Sequence, residues 1–161
     1  MMDLPPGHLR ANRRRGLTLL ELLVVVTLMG TLSTVVVTRY GRDIFGDLGA
    51  RSEAHRLSLD MQRAKSVAIR NGSTVSVIFE KGPSGQYSGY RLAEGPVGKQ
   101  TVIDGPTQFG ADIHVTTTSS TIQFSFEGHA STACVVNLKG PNRSWGLTVV
   151  PLTGSVKISE I

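Results

Sequence analysis

Only one cysteine, Cys134, is present, so the chain cannot close an intramolecular disulfide in any compartment. Aromatic residues are scarce at 6%, with a single tryptophan, which implies a light core built mainly of aliphatic side chains. The four histidines, His8, His55, His114 and His129, are scattered, and none stands at metal-ligand spacing from another His, Cys or carboxylate. No glycine-rich loop opens a helix in the manner of a phosphate cradle. Cys134, between Ala133 and Val135, reads as a small buried thiol, and Glu127-Gly128-His129 as a turn at a strand end. No cofactor, metal or catalytic group is expected, and the chain reads as a structural subunit, not an enzyme.

Charge is equally uninformative at first sight. The net value is +5, yet Arg10, Arg13, Arg14 and Arg15 against Asp3 place +3 of it in residues 1–16. The other 145 residues carry only +2, so the basic character belongs mostly to a leader and argues weakly for nucleic acid.

What the chain has is one long apolar run. From Leu17 to Thr38, 22 residues hold a single charge, Glu21, before Arg39. As a helix this is roughly 33 Å long, enough to cross a bilayer core. The preceding arginines favour the cytoplasm, which sends everything after Arg39 across the membrane. Thr27, Gly30, Thr31, Ser33 and Thr34 make the second half less apolar, so the helix is suited both to lipid and to packing on protein. A secretory signal peptide is shorter and ends in a small-x-small cleavage site, which Val35 to Tyr40 does not offer. A twin-arginine signal matches Arg14-Arg15-Gly16-Leu17 only superficially. A plain signal anchor leaves Glu21 unexplained, and an ionised carboxylate in a spanning helix costs about 2.5–3.5 kcal/mol even on lenient scales.

Beyond Arg39 the reading is α+β. Gly41, Gly46 and Gly49 interrupt the helical pattern and predict a kink or a loosened turn. Ala50, Ala54, Leu57, Met61, Ala64 and Ala68 then step by four and three, one face of an amphipathic helix that Asn71-Gly72 stops. After Gly72 the period becomes two. Strands are expected at Thr74–Phe79, Gln86–Leu92, Thr101–Ile103, Ile113–Thr117, Thr121–Phe126, Ala133–Leu138, Trp145–Val150 and Ser155–Ile158. Ile122, Phe124 and Phe126 are expected on one face. No helical crossover separates the strands, so they should pair antiparallel, with the second half of the long N-terminal helix packed on the β-sheet domain. The divisions are a basic leader at 1–16, a transmembrane helix at 17–38, a kink and amphipathic helix at 39–72, and a β domain at 73–161.

Gly16, the apolar Leu17, Thr18-Leu19-Leu20 and Glu21 together resemble the class III signal of type IV pilins and pseudopilins. The resemblance implies that prepilin peptidase, a membrane-embedded aspartyl protease, cuts Gly16–Leu17 on the cytoplasmic side and methylates the new amino terminus. Leu17 stands where the family usually has phenylalanine. Cleavage makes an ammonium four residues before Glu21, at a helix N-terminus whose dipole already favours a carboxylate. In a filament, Glu21 can then meet the Leu17 ammonium of a neighbouring subunit, which removes the burial penalty of both and sets axial register. The alternative is that Glu21 sits at headgroup depth.

Ala64 to Gly72, Phe124 to Ala130 and Leu147 to Val156 further resemble the GspH/FimT minor pseudopilins. The single cysteine disfavours a major pilin, and the scarcity of acid after Pro141 disfavours a major pseudopilin with its calcium loop. The resemblance implies a minor subunit of a type II secretion system or a type IV pilus, in the inner membrane with a periplasmic domain, at or near the filament tip among other pilin subunits. Some FimT-like minor pilins bind DNA through a Gly-Arg-x-Arg motif, which here reads Gly154-Ser155-Val156-Lys157. Lys139, Arg143 and Lys157 are the candidate phosphate contacts, against ordinary solvated surface charge.

Overall fold

The structure, a computed structural model, describes residues 18–96 and 98–161, and within its helix not the side chains of residues 40 and 42–45. Gly16 and Leu17 lie outside the described residues. Two compact units are present, Met1–Arg39 and Tyr40–Ile161. The helix α1 (Leu19–Asn71) is assigned across both.

In the first unit α1 is apolar from Leu19 to Arg39, and none of that stretch is buried. Its polar side chains turn back on the helix. Thr27 Oγ1 donates to the carbonyls of Leu23 and Val24, Thr34 Oγ1 to Gly30, and Thr38 Oγ1 to Thr34 and Val35, all at 2.9–3.1 Å. A hydroxyl satisfied this way enters hydrocarbon at little cost, so the threonines do not spoil the span.

In the second unit α1 is followed by β1 (Val75–Lys81), β2 (Tyr87–Glu94), β3 (Thr101–Gln108), β4 (His114–Thr117), β5 (Thr121–Phe124), β6 (Cys134–Lys139), β7 (Ser144–Val150) and β8 (Ser155–Glu160). They form two four-stranded sheets, ordered β3-β2-β1-β5 and β4-β6-β7-β8. Every pairing is antiparallel. Ala50, Ala54, Leu57, Met61, Ala64 and Ala68 are all fully buried, and they share one core with Val77, Tyr90, Ile122, Phe124, Leu138 and Leu147 from both sheets. The small alanines let the sheets approach the helix closely, while each buried large aliphatic side chain contributes about 1.5–3 kcal/mol. Tyr90 lies under α1 and donates from its hydroxyl to Asp60 Oδ2 at 2.5 Å. Burial first, and that hydrogen bond second, push the Tyr90 phenol far above its ordinary value.

Three expectations are changed. Helical hydrogen bonding continues through Gly41, Gly46 and Gly49, so these glycines do not break α1. At Gly46 the reason is packing: a methyl there would lie 2.5 Å from Pro141 Cγ of the β6–β7 turn. Second, β5 ends at Phe124, and Phe126 is 57% exposed instead of sharing the buried face of Ile122 and Phe124. Gly128 donates its N–H to the Ser125 carbonyl at 2.9 Å with φ of 83°, a turn that takes Phe126 out of register. Third, β3 runs on to Gln108 through Gly105-Pro106, which reads locally as a breaker. As the edge of its sheet it tolerates a residue without an N–H, and shifts in the pairing with β2 absorb the irregularity.

The Gly46–Pro141 contact belongs to a larger clasp. Asp47 of α1 accepts hydrogen bonds from the backbone N–H groups of Asn142 (2.9 Å) and Arg143 (3.0 Å) and from Asn142 Nδ2 (3.3 Å). The N–H of Asn142 above all holds the Asp47 carboxyl below its ordinary value. A lowered folded-state value means stabilisation that is present above the ordinary value of 3.8 and is lost as pH falls through the lowered one. Trp145, just after this turn and lining a groove with Asp47, reports on it. Acid titration of Trp145 emission should show a transition below the ordinary aspartate range that Asp47→Asn abolishes. An unchanged transition in that variant would remove Asp47 as its source.

Candidate functional site

The N-terminus of α1 is built by Thr18 and Glu21. Thr18 Oγ1 accepts the Glu21 N–H at 3.2 Å, while its carbonyl accepts the Leu22 N–H at 3.1 Å. Thr18 is thus the N-cap and Glu21 the third residue of the first turn, an acidic group where the helix dipole favours one. The spacing Thr-x-x-Glu before an apolar run is a capping-box signature. It is visible in the sequence and overlaps the motif that begins at Gly16. Leu19, Leu20, Leu22 and Leu23 around Glu21 are all more than half exposed. Among the described residues the Glu21 carboxylate makes no ion pair.

The three candidate cations all lie on the sheet β4-β6-β7-β8. Lys139, at the end of β6, stands opposite His114 and Ser144. Arg143, in the β6–β7 turn, places Nη1 3.3 Å from Glu160 Oε1, an exposed pair. Lys157 of β8 stands opposite Thr148, four residues along β7 from Ser144 or about 13 Å. Lys139 and Lys157 share the outer face of the sheet but not one cluster. Arg143 instead lines a groove of about 300 Å³ with Arg51 and His55 of α1 and with Trp145. Sequence spacing could not show this, because Arg51 and Arg143 are distant in the chain.

Cys134 is fully buried, its sulfur 3.3 Å from Thr117 Oγ1. Glu127 and His129 flank the Gly128 turn, with His129 Nδ1 3.5 Å from Glu127 Oε2, both exposed. Among the described residues no three His, Cys, Asp or Glu side chains gather around a metal position.

Comparison with known proteins agrees with this geometry. Residues 11–37 match the prokaryotic N-terminal methylation motif, and residues 53–153 match the family of type II transport protein GspH. The chain is 26% identical to competence protein ComGD of Bacillus subtilis (strain 168) over 153 residues, 95% of this chain and 99% of that one. It is 34% identical to type II secretion system protein H of Escherichia coli (strain K12) over 68 residues, 42% of this chain and 40% of that one. Among solved structures it resembles the minor pseudopilin EpsH from the type 2 secretion system of Vibrio cholerae, with TM-score 0.56, 11% identity, and coverage of 68% and 95% of the two chains. It also resembles the type IV minor pilin FimU of Pseudomonas aeruginosa, with TM-score 0.51, 14% identity, and coverage of 68% and 91%. These two likenesses speak for the fold. An exposed apolar helix capped at Thr18, an α1 face buried on antiparallel sheets, and a family match over residues 53–153 lead to one conclusion: the chain belongs to the GspH family of minor pseudopilins and pilins.

Proposed function

We propose that this minor pilin or pseudopilin is inserted in the inner membrane through residues 17–38, with its leader cytoplasmic and its β domain periplasmic. Prepilin peptidase cuts Gly16–Leu17 and methylates Leu17, and the mature chain joins other pilin subunits at or near a filament tip. The observation that carries this reading is the capped, wholly exposed apolar helix headed by Glu21, within a matched N-terminal methylation motif. The positive leader supports the orientation. Intact mass of the chain produced with and without a prepilin peptidase tests it. The expected product begins at Leu17 and carries one methyl group, whereas retention of residues 1–16 in the presence of the enzyme contradicts the reading.

A second reading, DNA binding in uptake, is favoured by the likeness to competence protein ComGD along nearly the whole chain. Lys139, Arg143 and Lys157 are its candidate contacts. About three phosphate contacts give weak binding that falls steeply with salt. Titration of the detergent-solubilised chain into labelled duplex should show it at low salt and lose it in the Lys139/Arg143/Lys157 triple alanine variant; no binding at low salt removes this reading.

A further inference from the structure

The edges of the two sheets differ in how they are closed to further pairing. At β3 the pairing with β2 shifts twice and Pro106 has no N–H to offer, while β4 and β5 are only four residues each. The edge strand β8 pairs with β7 over six residues without a shift and holds no proline. Ile161 donates its N–H to the Ser144 carbonyl at 2.9 Å, and Gly154 donates to Val150 at 2.8 Å. Ser144 and Val150 thus turn their backbone groups to the β8 side, and by alternation so do Gly146 and Thr148. Their partners Ser155, Lys157 and Ser159 face β7, which leaves the N–H and C=O of Val156, Ile158 and Glu160 pointing outwards. None of these six groups has a hydrogen-bond partner among the described residues.

The same three residues stand opposite buried Val149, Leu147 and Trp145, so their side chains share the face of the sheet that packs on α1. Val156 and Ile158 are half-buried against the core, and their edge side is uncovered. The groove of about 300 Å³ lies along this edge, with Arg51 and His55 on the helix side and Ile158 on the strand side. Arg143, also in the groove, is matched by the Glu160 carboxylate at 3.3 Å. Arg51 makes no ion pair among the described residues.

We propose that the β8 edge takes up an extended segment of another protein as an antiparallel fifth strand, with an acidic residue for Arg51 and apolar residues two positions to either side. A strand added about 4.8 Å from β8 pairs with the six open backbone groups and sends every second side chain into the groove. The main-chain bonds supply affinity, and the groove selects among side chains. The residue opposite Ile158 enters beside Arg51 and His55, where a carboxylate is favoured. The one opposite Val156 extends its apolar surface. A second copy paired edge to edge brings the two Arg51 groups together and offers only Glu160, which Arg143 already holds. Duplex DNA would satisfy Arg51 but leave the β8 backbone unused. The inference goes beyond the reading above and depends on neither cleavage nor assembly.

The test uses the full chain in neutral detergent micelles and a short labelled peptide that alternates threonine and valine, with glutamate in place of the central valine. This peptide is expected to bind, and its counterpart with a central lysine to bind at least about tenfold more weakly, the gap narrowing as salt rises. N-methylation of the glutamate and valine amides removes the donors that face β8 and should abolish binding. Ile158→Pro removes an outward N–H at an edge that tolerates proline, so it should abolish binding with Trp145 emission unchanged. Should that variant unfold, the N-methylated peptide decides alone. Arg51→Glu should reverse the preference between glutamate and lysine. Equal binding of the two peptides, binding of neither, or binding that survives N-methylation overturns the proposal. So does a dimer of the chain that Ile158→Pro dissolves, or a duplex that displaces the peptide and is itself lost on Arg51→Glu but kept in Ile158→Pro. Cleavage before Leu17 is read separately by mass, so failure here is distinct from failure of the filament reading.

Discussion

Replacement of Glu21 by alanine is expected to lower recovery of the chain in sheared filament fractions by roughly 100-fold, with membrane insertion and cleavage before Leu17 preserved. Removing one partner of a buried ion pair costs about 3–5 kcal/mol, because the other charge stays uncompensated. At about 1.4 kcal/mol per factor of ten, even the lower figure is a hundredfold. On the proposed pairing, the orphaned charge is the Leu17 ammonium of the neighbouring subunit. Insertion itself should improve, since the variant no longer carries a carboxylate into hydrocarbon. The Thr18 cap uses the Glu21 backbone N–H, which alanine retains, so the helix start should also survive. A loss confined to assembly therefore separates pairing from folding. If Glu21 only rests at headgroup depth, the alanine chain enters filaments as readily as the parent.

Leu57→Ala is expected to destabilise the second unit by about 2–5 kcal/mol without affecting processing. Leu57 has no exposure and sits at the centre of the α1 stripe, between Ala54 and Met61, against both sheets. The stripe is rich in alanine, so few neighbouring side chains are long enough to collapse into the space. That puts the effect towards the upper end of the range. The single tryptophan, Trp145, is 6% exposed in the same core, so its emission follows unfolding in urea directly. The same truncation at exposed Leu59 should change stability by less than about 0.5 kcal/mol. Similar losses at the two positions would mean that the helix is not seated as described.

Most of the fold was legible because its signals are local. The alanine stripe follows from helical spacing, the eight strands from alternation bounded by Gly and Pro, and the signal at Gly16 to Glu21 from residues in fixed order. The misreadings were local too, and each was decided by a distant contact. Gly46 looks like a breaker until Pro141 is seen to occupy the space its missing side chain leaves. Gly105-Pro106 looks like a loop until β3 is seen to be a sheet edge. Phe126 continues an alternation that the Gly128 turn ends.

The sequence by itself determined the apolar span, the Gly16–Leu17 motif with Glu21 behind it, the buried face of α1 and the antiparallel β class. Each depends on periods of two to seven residues, which the chain carries without reference to its folded state. Only the tertiary structure decided that Asp47 holds the β6–β7 turn and that Arg143 joins Arg51 and not Lys157. Those are relations between residues far apart in the chain, and whether a face is covered depends on everything else that packs around it.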